Sequence, residues 1–113
     1  MSAAFVPDAG DLIWLTFDPQ AGREQAGRRP ALVLSPRIYN SKSSLALVCP
    51  ITNQAKGYPF EVGVPAGQGA AGVILADHVK SVDWKARRAV KLGRCTPEVL
   101  DDVRARLAPL LGY

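Results

Sequence analysis

Two short runs of polar residues carry the chemistry open to this chain. Arg28 and Arg29 end a long charged segment, residues 18–29, where an apolar stretch begins, and Thr52, Asn53, Gln54 and Lys56 follow the end of another apolar stretch. A guanidinium presents a planar fork of N–H donors and keeps its charge at any neutral pH. Set beside a hydroxyl, two carboxamides and an ammonium, it suits a phosphate or a similar oxyanion. The long segment also holds Arg23, Glu24 and Gln25, with Gly22 and Gly27 for backbone freedom. A charged connection longer than a hairpin requires is more often functional than merely connective. Whether the two runs meet depends on how the sheet arranges its strand ends; spacing alone does not decide it.

Other designs are excluded. His78 is the single histidine, so a mechanism built on two imidazoles has no second partner. One histidine and two widely separated cysteines, Cys49 and Cys95, give no zinc-ligand spacing, and neither a metal nor an organic cofactor is expected. His78 lies in an apolar stretch and reads as a structural residue along a sheet. The glycine-rich run at 66–72 lacks a following Lys-Ser or Lys-Thr and reads as a turn. No serine stands in a nucleophile elbow.

With 113 residues, 48% hydrophobic and 21% charged, the chain fits one domain, 1–113. A net charge of +4 and a pI near 9.4 give a mild bias toward polyanions or an acidic protein partner. Both cysteines fall in apolar stretches and are expected as free, buried thiols. The opening residues carry no basic leader, and no run approaches the roughly 18 apolar residues of a membrane span. No membrane partner and a cytoplasmic location are therefore expected.

The elements that must position the polar runs are mostly strands. Asp11–Phe17 is apolar on both of its alternating faces and should cross the core. Short apolar runs at 31–35 and 45–49, bounded by Pro30, Pro36 and Pro50, read as strands, and 60–64, Gly72–Leu75, 78–82 and 89–94 add four more. At 96–111 the apolar period becomes helical, with Thr96 as N-cap, Pro97 in the first helical position, and Glu98, Asp101 and Asp102 toward the positive end of the dipole. Pro109 should end or kink this helix. Residues 84–88 are too few to type.

At these positions the chain resembles the MazF/PemK family of toxin endoribonucleases over nearly its whole length. The resemblance is carried by FVPDAGDLIWLTFDP (5–19), EQAGRRPALVLSP (24–36) and TNQAKGYPFEV (52–62), and more weakly by GVILADHVKSVDWKAR (72–87). It implies a mainly β (α+β) fold, a small SH3-like antiparallel barrel of the CcdB/PemK type with a C-terminal helix, assembled as a homodimer. It also implies that Arg29 and Thr52 are the catalytic pair, with Glu24 as a supporting loop acid. Arg28 departs from relatives that carry histidine there and is expected to bind phosphate instead.

The activity implied is metal-independent cleavage of single-stranded RNA, in which the 2'-hydroxyl attacks its own phosphate and leaves 2',3'-cyclic phosphate and 5'-hydroxyl ends. Arg29 and Thr52 would stabilise the phosphorane; the general base stays open between Glu24 and a transiently deprotonated Arg29, since a guanidinium is a poor proton acceptor. RNA contacts are expected from Asp18, Gln25, Arg28, Asn53, Gln54 and Lys56, with Phe17 or Tyr58 offering rings for an unpaired base and Phe17 favoured as core. The segments 18–28 and 56–60 would set a short recognition sequence, of ACA type by resemblance. The expected partner is a MazE-like antitoxin with an acidic, disordered tail. Two alternatives remain: a CcdB-like topoisomerase poison, which the ending Leu110-Leu111-Gly112-Tyr113 does not favour, and a non-catalytic RNA-binding module.

Overall fold

A computed structural model describes residues 5–17 and 27–113. Its strands are β1 (Asp11–Phe17), β2 (Gly27–Val33), β3 (Leu45–Thr52), β4 (Glu61–Val64), β5 (Gly72–Leu75), β6 (Lys80–Asp83) and β7 (Val90–Arg94). Helix α1 (Arg37–Ser43) separates β2 from β3, and helix α2 (Pro97–Leu107) runs into a 3-10 turn, Ala108–Leu111. The strands form one antiparallel sheet in the order β4-β5-β3-β2-β1-β7, with β6 also paired to β3. The first half of β3 holds β6 (Leu45↔Asp83 to Val48↔Lys80) while its last residues hold β5 (Ile51↔Ile74, Thr52↔Val73). Sharing β3 in this way curls the sheet into a half-barrel with a C-terminal helix, the architecture the sequence predicts.

Both faces of the central strands β1, β2 and β3 contribute to buried clusters, which explains why these strands read as nearly continuous apolar runs, whereas β6 and β7 are largely exposed. One face carries Leu12, Leu32, Cys49, Ile51 and Ile74 against Val99 and Val103 of α2. The other carries Ile13, Leu15, Phe17, Ala31, Val33, Ala46, Val48, Val82 and Trp84. Strand β1 feeds alternate residues to the two clusters, as its double apolar face predicts. The start of α2 also follows prediction: Thr96 Oγ1 accepts the Val99 N–H at 3.4 Å, and Pro97 sits at the first turn. Pro109 falls in the 3-10 turn that ends the helix. Both cysteines are free and buried. No helix among the described residues is long and apolar enough to cross a membrane.

Two expectations change, and one element was not anticipated. Prolines do not bound β2 and β3, because Pro30 and Pro50 lie inside them. Strand β2 starts at Gly27, so Arg28 and Arg29 belong to a strand and not to a loop. Helix α1 gave no sequence signal: seven residues are too few for a period to show. It is held from inside by Asn40, fully buried, whose Nδ2 donates to the carbonyls of Pro7 (2.8 Å) and Ser35 (2.9 Å). The Asn40 carbonyl in turn accepts from the Trp84 indole N–H at 3.0 Å.

Candidate functional site

The residues of the second apolar cluster extend, strand by strand, into a polar cleft. Because side chains alternate along a strand, the next positions on the same face can be counted off. Beyond Val33 and Ala31 on β2 comes Arg29; beyond Ala46 and Val48 on β3 come Pro50 and Thr52; beyond Val82 on β6 comes Lys80; and Phe17 ends the row Ile13, Leu15 on β1. Arg29, Thr52, Lys80 and Phe17 all line one cleft of about 510 Å³. The site is the open end of the barrel's own interior.

The β2–β3 register explains the meeting of arginine and threonine. The ladder runs Val33↔Val48, Leu32↔Cys49, Ala31↔Pro50, so two further steps set Arg29 opposite Thr52 on the same face. Pairing stops at Ala31 and Pro50, and the two prolines at this end of the ladder have no N–H to extend it. The strand ends are left to form the floor of a cleft instead of a closed sheet.

Arg29 has no hydrogen-bond or ion-pair partner among the described residues, so none of these takes up its guanidinium donors. The Thr52 Oγ1 accepts the Gln54 N–H at 3.2 Å, which leaves the hydroxyl proton for an oxygen in the cleft. Gly72 brings β5 in against this threonine. At φ +117 it lies so close that an added Cβ would stand 2.2 Å from the Thr52 carbonyl oxygen, a position only glycine fills.

The segment after Thr52 brings Asn53, Gln54, Lys56 and Tyr58 to the cleft wall. It is shaped by Glu61, whose carboxylate accepts the N–H groups of Lys56 (3.0 Å to Oε2) and Gly57 (2.9 Å to Oε1). Tyr58 is exposed and lines the cleft. Phe17 lines the same cleft but is buried, with Lys80 Nζ 5.5 Å from its ring centroid. It is part of the core, as favoured.

The connection from β5 to β6 forms the remaining wall and supplies Asp77 and His78. Expected inside a strand, His78 instead precedes β6 with its side chain 58% exposed and Nε2 3.7 Å from Asp77 Oδ1. The backbone beneath it is tightly held: Ala76 N–H donates to Phe60 O (2.9 Å), His78 N–H to Leu75 O (3.0 Å), and the Cys49 thiol to Ala76 O (3.8 Å). Burial, with a smaller contribution from the Asp77 carboxylate, pushes the Cys49 thiol up to about 12. It is therefore a protonated packing group and not a nucleophile.

Arg28 does not join this cleft. As the neighbour of Arg29 in a strand it faces the other way. Its Nη1 donates to Thr16 Oγ1 (3.0 Å) and Arg87 O (3.4 Å), and its Nη2 to Trp14 O (3.1 Å) and Arg88 O (2.7 Å). The expected phosphate-binding role is corrected for a physical reason: the donor fork is already occupied by protein oxygens. Asp18, Glu24 and Gln25 lie outside the described residues. Sequence reasoning missed Glu61, Asp77 and Lys80, and misplaced His78. For Lys80 the alternation Lys80, Val82, Trp84 was a usable signal; for the others only the turn geometry reveals a role.

The half-barrel carries, at its strand ends, a cleft lined by a guanidinium with no partner among the described residues, a hydroxyl and two ammonium groups, a set of donors suited to an anion. The chain belongs to the PemK-like, MazF-like toxin family of type II toxin-antitoxin systems, which matches residues 8–111. It is 54% identical over 112 residues to the endoribonuclease toxin MazF of Escherichia coli K12, covering 99% of this chain and 100% of that protein. Among solved structures, MazF of Deinococcus radiodurans superposes with a TM-score of 0.89 at 57% identity, covering 97% of this chain and 100% of the other. A MazE–MazF structure from the same organism gives a TM-score of 0.89 at 56% identity, with 96% and 99% covered.

Proposed function

We propose that this chain is an endoribonuclease toxin that cuts single-stranded RNA at a short recognition sequence, needs no metal, and is neutralised by a MazE-like antitoxin. The observation that carries the reading is the presence of Arg29 and Thr52 in one cleft, with the guanidinium free of partners among the described residues. Its relatives' activity and their capture with MazE support the biological setting.

Cleavage of RNA by its own 2'-hydroxyl requires three things of the protein: a phosphate held in line, stabilisation of charge on a pentacoordinate phosphorane, and proton exchange at the entering and leaving oxygens. Arg29 serves the first two with a fixed positive fork, and Thr52 adds a directed O–H. Lys56 and Lys80 raise the potential along the rim and favour entry of a polyanion. Tyr58 supplies a stacking face, while the Asn53 and Gln54 carboxamides present donors and acceptors to base edges. An ACA-type sequence is the preferred site by relationship. Glu24 stands as an acid contributed by the segment 18–26. The acidic tail of an antitoxin would compete for the same cationic cleft, and assembly as a homodimer in the cytoplasm completes the reading.

The test is end mapping. A long unstructured RNA incubated with purified protein in EDTA should yield fragments with 2',3'-cyclic phosphate and 5'-hydroxyl ends at one short sequence. RNA retained without new ends would favour a non-catalytic binding module, and cutting abolished by EDTA would overturn the metal-independent mechanism.

A further inference from the structure

We propose that His78 is the general base of the cleavage reaction, a role that rests on the endoribonuclease reading above. The reaction must remove a proton from the 2'-hydroxyl, and Arg29 is unsuited to accept one. Imidazole is the side chain whose ordinary titration lies nearest neutrality. This chain has one, and the fold puts it in the wall of the cleft that holds Arg29 and Thr52.

The placement follows from strand pairing. Strand β5 lies on Ile51 and Thr52 of β3, and β6 begins on Val48 with Lys80. The four residues between β5 and β6 therefore span the intervening stretch of β3, Cys49 and Pro50, two to three residues from Thr52. The carrier is rigid: Ala76 is fully buried, and the Phe60, Leu75 and Cys49 contacts fix the turn from three sides. The His78 side chain itself is more than half exposed, and the residue lines the cleft. A fixed backbone under an accessible proton acceptor is what pre-organised proton transfer requires.

The groups facing it divide by role. Asp77 Oδ1, 3.7 Å from Nε2, stabilises the imidazolium that forms when Nδ1 takes the proton. Arg29, Lys56 and Lys80 from the surrounding strands and loop oppose that charge, while Glu61 is engaged by the Lys56 and Gly57 N–H groups. Among the described residues, Tyr58 is the remaining titratable group at the cleft.

In the proposed step the 2'-hydroxyl proton passes to His78 Nδ1, the O2'–P bond forms, the P–O5' bond breaks, and the 5'-oxygen takes a proton from solvent. The imidazolium then releases its proton to solvent. No oxidant, reductant or further reactant is consumed.

The experiment is the pH dependence of kcat/KM on an RNA oligonucleotide containing the mapped site, for wild type, His78→Gln and Asp77→Asn. Wild-type activity should rise with pH through the imidazole range and level off. His78→Gln should lose about 100-fold or more at the plateau, lose that inflection, and bind a non-cleavable 2'-deoxy analogue as wild type does. Asp77→Asn should keep the plateau within about tenfold. A His78→Gln profile that keeps its shape, with kcat within about twofold of wild type, overturns the assignment while leaving the RNase reading intact. A wild-type protein that makes no new RNA ends removes both.

Discussion

Arg28 and Arg29 are covalent neighbours at one end of β2, yet the two sides of the strand on which they stand are built for opposite ends. On the Arg28 side the guanidinium is consumed: its hydrogen bonds to Thr16, Trp14, Arg87 and Arg88 tie the 84–89 turn to the first two strands. Arg88 sits there at φ 56, a left-handed conformation that ordinarily costs energy, and its carbonyl accepts the shortest of these bonds. On the Arg29 side the same functional group meets no protein acceptor among the described residues and faces a cleft open to solvent. A charge satisfied by the fold stabilises it; a charge left unsatisfied in a concavity is available for a ligand.

Removing the cleft side tests the comparison most severely. Arg29→Ala and Thr52→Ala should each cut RNA cleavage by about 100-fold or more, the usual effect of losing one donor to a developing oxyanion. Thermal unfolding midpoints should hardly move, because neither side chain supports the core. Unaltered cleavage in both variants would sink the site. A large loss of stability in Arg29→Ala would show that its guanidinium is not free after all.

Gly72 sharpens the same point through geometry. Its substitution by alanine would press a Cβ against the Thr52 carbonyl, and relief requires β5 and Thr52 to part. A displacement near 1 Å in a reacting group can cost up to about 100-fold, so Gly72→Ala should lower kcat by about ten- to a hundredfold while RNA affinity changes far less. Equal losses in affinity and kcat would mean that the whole cleft has collapsed.

These contrasts also mark what could be read in the residues beforehand. The pairing of Arg29 with Thr52 and the doubly apolar β1 were legible, the first through family motifs and the second through alternation. The opposed roles of Arg28 and Arg29 were open to inspection as well, since neighbours in a strand point apart; that reading failed because Pro30 was taken as a boundary and both arginines were assigned to a loop. Pro30 and Pro50 instead lie within strands where the ladder ends. His78 was misplaced for a related reason: Val79 and Val82 extend an apolar pattern across a turn, and only the pairing of Lys80 with Val48 shows that the strand begins later. The polar interior of α1 was invisible, because Asn40 finds Pro7, Ser35 and Trp84 only after the chain has folded.

On the other side of β2, Arg28→Ala should act on the fold and not on the ligand. Its bonds are partly exposed, so a loss of roughly 1–3 kcal/mol is expected, lowering the unfolding midpoint by about 5 °C or more. RNA affinity should keep its dependence on salt. If Arg28→Ala instead lowers the slope of log affinity against log salt by about one contact's worth, Arg28 touches phosphate and the division between the two arginines fails. Arg28→Lys should rescue little, since one ammonium cannot span acceptors arranged for a planar fork.

The smallest effect belongs to the end of the sheet away from the cleft, where Asp8 plays Arg28's kind of role with opposite charge. Its carboxylate accepts the N–H groups of Arg37 and Ala9, each at 2.9 Å. The Arg37 N–H, foremost, holds its pKa below the ordinary carboxylate value; partial burial opposes the shift, and Ala9, Arg94 and Arg37's charge assist it. A carboxylate whose pKa is depressed by folding contributes stability that is present above its unfolded value, near 3.9, and is lost as pH falls through the lower folded value. Asp8→Asn should therefore cost less than about 1 kcal/mol at pH 7, with cleavage unchanged. The two proteins' unfolding midpoints should draw together as the pH is taken below about 4. A gap that persists undiminished at pH 2 would place the effect in the loss of a neutral hydrogen bond, and Asp8 would no longer count among the charges that the fold itself consumes.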